Sequence, residues 1–183
     1  GHFDSSGRTR RTPLFRDNLV YIIDTDNAVV ALDAGTGEVK KTYNVIKTYD
    51  FVIPDGPDAR TIILAGAEML VSLDVVTGSI VWKKELAKKP LSNIFAAGEF
   101  VFAVSNHVHN TLGMDSFSTP IGYVEAFRLK NGETMWGAEL DNSAGANASV
   151  AGNTIAIITN NGALTVFSAE RCFFCRKMLP EGG

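Results

Sequence analysis

The sequence contains little cysteine, no excess of positive charge and no long apolar run. Its 183 residues include two cysteines, too few for a disulfide-built scaffold. No apolar stretch approaches the roughly 18 residues that cross a bilayer as a helix. The formal net charge is −3, which argues against a nucleic-acid partner. Hydrophobic residues nevertheless make up 45% of the chain, so we expect a buried core.

A helical period of apolar residues is also lacking. Short runs rich in β-branched and aromatic residues, such as 19–23 and 28–32, alternate with turns rich in glycine, asparagine and aspartate. This pattern predicts an all-β chain of about 16 short strands, with under about a tenth of its residues in helices.

One turn phrase recurs along the chain. It occupies residues 31–39, 72–82 and, more altered, 126–136, with a barely recognisable fourth copy at 166–176. Its glycine position falls at 37, 78, 132 and 172, so the intervals are 41, 54 and 40 residues. A period of roughly 40–45 residues in an all-strand chain is typical of propeller blades. We predict a flexible polar arm over 1–11 and four blades of four antiparallel strands, at about 12–46, 47–90, 91–142 and 143–180.

The residues of the turn phrase predict a structural role. Aspartate in a turn accepts hydrogen bonds from nearby backbone N–H groups, and glycine supplies a positive φ, which we expect at Gly35 and Gly37. Asp33 and Asp74 recur with the turn, so we interpret them as turn caps and not as a catalytic pair. The predicted signature residues of the repeat are Asp33, Gly37, Asp74, Gly78, Trp82, Gly132 and Trp136.

The phrase Ala-Leu-Asp-x-x-Thr-Gly-x-x-x-Trp within a four-strand repeat resembles the repeat of the quinoprotein, or pyrroloquinoline-quinone-type, β-propellers. Residues 31–37, 73–82 and 132–136 carry the match, which extends over 12–180. The resemblance implies that Trp82 and Trp136 pack between neighbouring blades. Lys41 and Arg176 stand at the equivalent position of the first and fourth repeats, which implies weaker or solvated contacts there.

Residues 123–129 and 150–154 look most like the BamB-type members of that family, the barrel-assembly lipoproteins of the bacterial outer membrane. The resemblance implies a non-catalytic protein-interaction scaffold in the periplasm or on the periplasmic side of that membrane. Its partners would be proteins, among them barrel-assembly components, with no nucleic acid and no cofactor.

Two other functions stay open: a fragment of a quinone-dependent dehydrogenase and the lumenal sensor domain of a stress receptor. Many quinone dehydrogenases carry a disulfide between adjacent cysteines, and this chain has no adjacent pair. No nucleophile, base and orienting group assemble in the sequence either. We therefore expect no catalytic, cofactor-binding or metal-binding residue.

The third repeat is longer than its neighbours, and the excess lies at 106–120. Insertions in repeat arrays map to loops on one rim, often the binding rim. Leu112, Met114 and Phe117 are apolar residues within this segment, so we predict that they contact a partner. The alternative is that they fold back and cover the rim.

The sequence contains a histidine pair and a cysteine pair that could bind a metal or carry out redox chemistry. His107 and His109 would share one face of a strand, and Asp115 lies near them, but no third strong ligand follows, so we expect no metal there. Cys172 and Cys175 lie in a strand turn, whereas a thioredoxin-like pair requires a helix N-terminus. We expect a local disulfide or two inert thiols.

The number of repeats predicts how the chain assembles. Members of the resembled family usually have eight blades, and this chain holds four. Closing four blades would require much sharper curvature, so we predict half of a larger propeller with two open blade faces. Repeats in such arrays do not bury their cores alone, so self-association through the open faces is expected.

Overall fold

A computed structural model defines residues 12–55, 60–108 and 120–169, including their side chains except at 145–147. These residues contain 15 β-strands and no helix, which confirms the predicted all-β class. The strands form four antiparallel sheets, and within each sheet the strand order follows the chain. The last strand predicted for the fourth repeat and the arm at 1–11 lie outside the described residues.

The four sheets divide the chain consecutively. Sheet 1 contains β1 (Leu14–Arg16), β2 (Leu19–Ile23), β3 (Val29–Asp33) and β4 (Val39–Tyr43). Sheet 2 contains β5 (Asp50–Val52), β6 (Thr61–Ala65), β7 (Met69–Asp74) and β8 (Ile80–Glu85). Sheet 3 contains β9 (Leu91–Ala97), β10 (Phe100–Val108), β11 (Pro120–Arg128) and β12 (Thr134–Glu139). Sheet 4 contains β13 (Ala144–Ala151), β14 (Thr154–Thr159) and β15 (Leu164–Ser168).

The recurring turn joins the third and fourth strands of the first three sheets. Its closing hydrogen bond runs from Gly37 N to Asp33 O at 2.8 Å, and from Gly78 N to Asp74 O at 2.7 Å. Both glycines have φ of 78°, a conformation that side-chained residues resist. The expectation of a positive φ at Gly35 is wrong, because the turn needs this conformation only at its last position.

A register shift follows this turn at the same place in each of these sheets. In sheet 2, Leu73 pairs with Ile80 and Ser72 pairs with Trp82, so one extra residue lies in β8. Sheets 1 and 3 show the same shift opposite Ala31 and Ala126. A β-bulge changes the direction of the side chains beyond it, and here it places Trp82 on the same face as Ser72.

Most of the core lies between consecutive sheets. We call the side of a sheet that meets the next sheet along the chain its forward face, and the opposite side its rear face. The forward face of sheet 1 (Tyr21, Ile23, Val29, Ala31) packs on the rear face of sheet 2 (Ile62, Leu64, Val71, Leu73). The forward face of sheet 2 (Ile63, Ala65, Leu70, Trp82) packs on the rear face of sheet 3 (Val101, Ala103, Phe127, Leu129). The forward face of sheet 3 (Phe102, Val104, Val124, Ala126) packs on the rear face of sheet 4 (Ile155, Ile157, Phe167).

Candidate functional sites: the seams between sheets and the long hairpin

The signature aspartates are engaged inside their turns. Asp33 Oδ1 accepts hydrogen bonds from Gly35 N at 3.0 Å and Thr36 N at 2.9 Å. The bond from Thr36 is the largest cause that holds the pKa of Asp33 below its ordinary value. Asp74 repeats the arrangement with Val76 and Thr77, and its pKa is lowered in the same way. The predicted turn-capping role therefore agrees with the hydrogen bonds.

Trp82 fills the seam between sheets 2 and 3. Only 8% of the residue is exposed, and its indole Nε1 donates to Leu129 O at 2.6 Å. The ring lies against Gly132, where an added Cβ would come within 2.8 Å of ring carbons. Gly132 also has φ of 69°, so this turn requires glycine for its backbone conformation and for the space that the ring needs.

Trp136 occupies the equivalent place between sheets 3 and 4. Its Nε1 donates to Ala169 O at 3.0 Å and to Ser168 O at 3.1 Å. The ring stacks on Phe167 of sheet 4, with 5.3 Å between ring centroids and 29° between ring planes. Trp136 is half-buried, so this seam is more open to water than the one that Trp82 fills.

The seam between sheets 1 and 2 has no tryptophan. Tyr43 donates its hydroxyl to Val75 O at 2.8 Å, and Lys41 Nζ donates to the same oxygen at 3.0 Å and to Val76 O. Burial is the main cause that raises the pKa of Tyr43 to about 12. A weaker or solvated contact was expected at Lys41, and the structure shows that its amine is hydrogen-bonded to the next sheet. Arg176 lies outside the described residues.

In all three seams the hydrogen-bond acceptor is the backbone carbonyl at the same position of the repeat. Val75, Leu129 and Ala169 all follow directly after the residue that opens the turn, or its equivalent in sheet 4. Their N–H groups donate to the loop between the first two strands of their own sheets, at 2.7, 2.8 and 2.7 Å. Each of these residues is thus tied to its own sheet through its N–H group, while its carbonyl oxygen accepts a hydrogen bond from the preceding sheet. Sequence reasoning missed this site because a backbone acceptor leaves no side-chain signature.

A buried and a half-buried polar side chain add further links between repeats. Asp50, 7% exposed, accepts a hydrogen bond from Ile94 N at 3.2 Å, which ties β5 to β9. Asn106 forms two hydrogen bonds with the backbone of Ala144, at 2.8 and 3.2 Å, which tie β10 to β13. Sequence reasoning missed both links, because neither residue belongs to the recurring turn.

Glu125 lies in the middle of β11 and is 4% exposed. Its carboxylate accepts a hydrogen bond from Ala87 N at 3.0 Å, in the segment that joins sheet 2 to sheet 3. Burial is the main cause that raises the pKa of Glu125, and Lys84 acts in the opposite direction. Through this hydrogen bond Glu125 holds the segment between sheets 2 and 3 against β11.

The longest hairpin is built from β10 and β11. Pairing runs from Phe100 with Arg128 to Val108 with Pro120. The inserted segment was predicted as a loop over 106–120, but its first three residues and Pro120 belong to strands. The predicted partner-binding residues Leu112, Met114 and Phe117 lie outside the described residues.

His107 is the described member of the histidine pair. It is 8% exposed, its Nε2 lies 3.6 Å from Glu139 Oε1, and its ring meets the Tyr123 ring edge-on at 6.2 Å. Over 12–55, 60–108 and 120–169, no group of three or more His, Cys, Asp or Glu residues could hold a metal ion. His109, Asp115, Cys172 and Cys175 lie outside these ranges.

The two ends of the array differ. On the forward face of sheet 4, Ile158, Leu164 and Val166 are 49%, 64% and 43% exposed. On the rear face of sheet 1, Ile22, Val30 and Leu32 are buried and form a cluster of their own with the half-buried Val20. The expectation of two open faces thus agrees with sheet 4 and is wrong for sheet 1. In the part of the chain that the structure describes, no helix could cross a membrane.

No family model matches the sequence, and no curated protein matches it. Two computationally designed proteins with crystal structures are similar in fold. The Ika4 protein is 11% identical, with a TM-score of 0.66 over 85% of this chain and 88% of its own. The Ika8 protein is 12% identical, with a TM-score of 0.64 over 85% of this chain and 44% of its own. At these identities the likeness concerns the fold alone.

Proposed function

We propose that the four sheets are consecutive blades of a β-propeller and that the chain is a non-catalytic protein-interaction scaffold. The observation that carries this proposal is the repeated seam. At each of three junctions a forward face packs on a rear face, and an outer-strand side chain donates to the same backbone position of the next sheet. Radial repetition of four-stranded antiparallel sheets is the architecture of propellers.

The use of the signature residues supports a scaffold. Asp33 and Asp74 cap turns, and the two tryptophans join sheets. A rigid array built in this way presents its loops to other molecules, and loops on rigid frameworks commonly carry binding residues.

The proposed partners are proteins of the outer-membrane barrel-assembly machinery, with no nucleic acid and no cofactor, and the proposed location is the periplasm or the periplasmic side of that membrane. This follows the resemblance to BamB-type lipoproteins in the repeat phrases. The β10–β11 hairpin is the proposed contact, because its strands are the longest described and it leads into the segment with Leu112, Met114 and Phe117.

The hairpin proposal is tested by replacing residues 108–120 with Asn-Gly. His107 and Ile121 are directly paired and both have a backbone N–H group, and Asn-Gly is the preferred two-residue connection between such strands. We expect the melting temperature to stay close to that of the parent chain and binding of purified barrel-assembly components to be lost. A matched variant keeps the loop length and changes Leu112, Met114 and Phe117 to serine.

Loss of binding in both variants with an intact fold supports the contact. Unchanged binding in both contradicts it, and unfolding of the serine variant would mean that these residues cover the rim. The non-catalytic proposal has a separate test, in which the chain is incubated with pyrroloquinoline quinone, calcium, an alcohol or sugar and a redox dye. We expect no dye reduction, and sustained reduction would contradict the proposal.

A further inference from the structure

The forward face of sheet 4 has the same apolar positions as the other three forward faces but is uncovered. Register places Ile158 opposite Leu164, as Val104 stands opposite Val124, Ala65 opposite Leu70 and Ile23 opposite Val29. All the equivalents in sheets 1 to 3 are 2% exposed or less. In sheet 4 the same two positions are 49% and 64% exposed. The residues thus keep the apolar character of an inter-sheet face, although no described sheet covers them.

The described side chains of this face are also uncharged. Paired residues share a face of the sheet, and the pairing places Ser149, Thr154, Ala156 and Ser168 beside Ile158, Leu164 and Val166. None of these side chains is ionisable. In a two-fold interface the residues near the axis lie close to their own copies, so a single charge there would face a like charge. An uncharged aliphatic face avoids this repulsion.

The opposite end of the array does not offer a second site. In a head-to-tail assembly the forward face of sheet 4 would need the rear face of sheet 1, but Ile22, Val30 and Leu32 there are only 6%, 4% and 6% exposed. A second copy therefore meets one open apolar face among the described residues. An isologous pair, in which the two sheet 4 faces meet each other, covers both copies at once.

We propose that the forward face of sheet 4 is a self-association surface that binds the same face of a second copy and forms a two-fold dimer. The proposal deepens the scaffold function, because it rests on the blade packing proposed above and names one molecule that the array binds. Three large aliphatic side chains form a small contact, and small interfaces are weak. We expect a dissociation constant on the order of micromolar or weaker.

Sedimentation equilibrium of the full chain, from low to high micromolar concentration, tests the proposal. The parent chain should show a monomer–dimer equilibrium, and Leu164→Lys should weaken it by about tenfold or more, since two ammonium groups would meet across the axis. Ile80→Lys is the matched control. Ile80 is 52% exposed but lies on β8, away from sheet 4, so this variant should dimerise like the parent chain.

A cysteine variant tests the symmetry of the dimer. Val166→Cys, made with Cys172→Ser and Cys175→Ser, should form a disulfide-linked dimer under mild oxidation, because the residue meets its own copy near the axis. The same background carrying Ile80→Cys should not. If Leu164→Lys fails to fold by circular dichroism, Val166→Ser replaces it as the weakening variant.

Several results would overturn the proposal: a monomer at every concentration, association that both lysine variants leave unchanged, a dimer that Val166→Cys does not cross-link, or trimers and longer species. The last two results would indicate closed and open head-to-tail assembly, respectively. A different result would contradict the scaffold function: hairpin variants that bind barrel-assembly components as well as the parent chain does. A monomer that still binds barrel-assembly components through the hairpin would sink the self-association alone.

Discussion

The seam between sheets 1 and 2 and the seam between sheets 2 and 3 join equivalent backbone positions with different side chains. Between sheets 2 and 3 a single buried indole, Trp82, donates to Leu129 O. Between sheets 1 and 2, the hydroxyl of Tyr43 and the amine of Lys41 both donate to Val75 O. The comparison indicates that the repeat keeps the acceptor and allows the donor to change.

The two seams also differ in what stabilises them. An indole ring buries roughly 150–250 Å² and contributes chiefly through packing, with one hydrogen bond in addition. Tyr43 adds a ring of its own, but Lys41 contributes a charged amine on a half-buried side chain. We therefore expect the first seam to depend more on hydrogen bonds and ionisation, and the second to depend more on ring volume.

The largest expected effect is that of Trp82→Ala. Removing a buried ring leaves a cavity and deprives Leu129 O of its donor, so we expect a loss of about 3–5 kcal/mol in the free energy of unfolding. Urea unfolding followed by circular dichroism measures it. Trp82→Phe keeps most of the volume and should cost much less. A loss below about 1 kcal/mol for Trp82→Ala would contradict a packing role for this seam.

Gly132→Ala tests how tightly the same ring is held. The methyl group would meet the Trp82 ring and the residue would have to adopt φ of 69°, so we expect a loss of about 2–5 kcal/mol. Gly162→Ala is the matched control. Gly162 has φ of 86° and nothing within 4 Å of an added Cβ, so only the backbone cost of about 1–2 kcal/mol should remain. Equal losses in thermal or urea unfolding would show that Gly132 is needed for its φ alone.

Tyr43→Phe removes one donor from the first seam and keeps the ring. We expect a loss of about 0.5–1.5 kcal/mol at neutral pH, the usual contribution of one hydrogen bond, because Lys41 still donates to Val75 O. The double change Lys41→Met with Tyr43→Phe should cost more than the sum of the single changes, since the carbonyl then loses both donors. Additive losses in a double-mutant cycle would show that the two donors act independently.

The last expected effect is that of pH, and it arises only in alkaline solution. The pKa of Tyr43 is raised to about 12 in the folded chain, against 10.0 ordinarily. The unfolded chain therefore loses this proton first, so the stabilisation from neutral Tyr43 is complete below about pH 10 and is lost as the pH rises towards about 12. The stability difference between the parent chain and Tyr43→Phe should shrink over this interval. A constant difference would mean that the folded and unfolded pKa values of Tyr43 coincide.

The turns and strands could be predicted because their causes are local. Asp33 accepts the hydrogen bonds of the turn and Gly37 supplies its positive φ. Both residue types recur at a fixed spacing in the sequence, so their roles could be predicted. Gly35 was assigned the same conformation wrongly, since composition does not show which glycine of a turn needs it. Trp82 was expected to lie between blades, and in the structure it joins sheets 2 and 3.

The links between repeats could not be predicted in the same way, because they depend on three-dimensional proximity. Lys41 looked like a solvated substitute for tryptophan, and only the structure brings its amine to Val75 O. Asp50 and Ile94 are far apart in sequence, and nothing near either residue indicates the other. The buried rear face of sheet 1 also depends on tertiary packing, which strand patterns do not report.

Because the acceptor at each seam is a backbone carbonyl, repeats can be added to the chain or replaced. Val75, Leu129 and Ala169 share no side-chain chemistry, so the bond that each accepts places no demand on the residue type there. A tandem duplication of residues 47–90 would set the first Trp82 against the Val75 carbonyl of the inserted copy, and the second Trp82 against Leu129 as before. Whole repeats can therefore be duplicated or exchanged, because every repeat brings the backbone carbonyl that the preceding repeat needs.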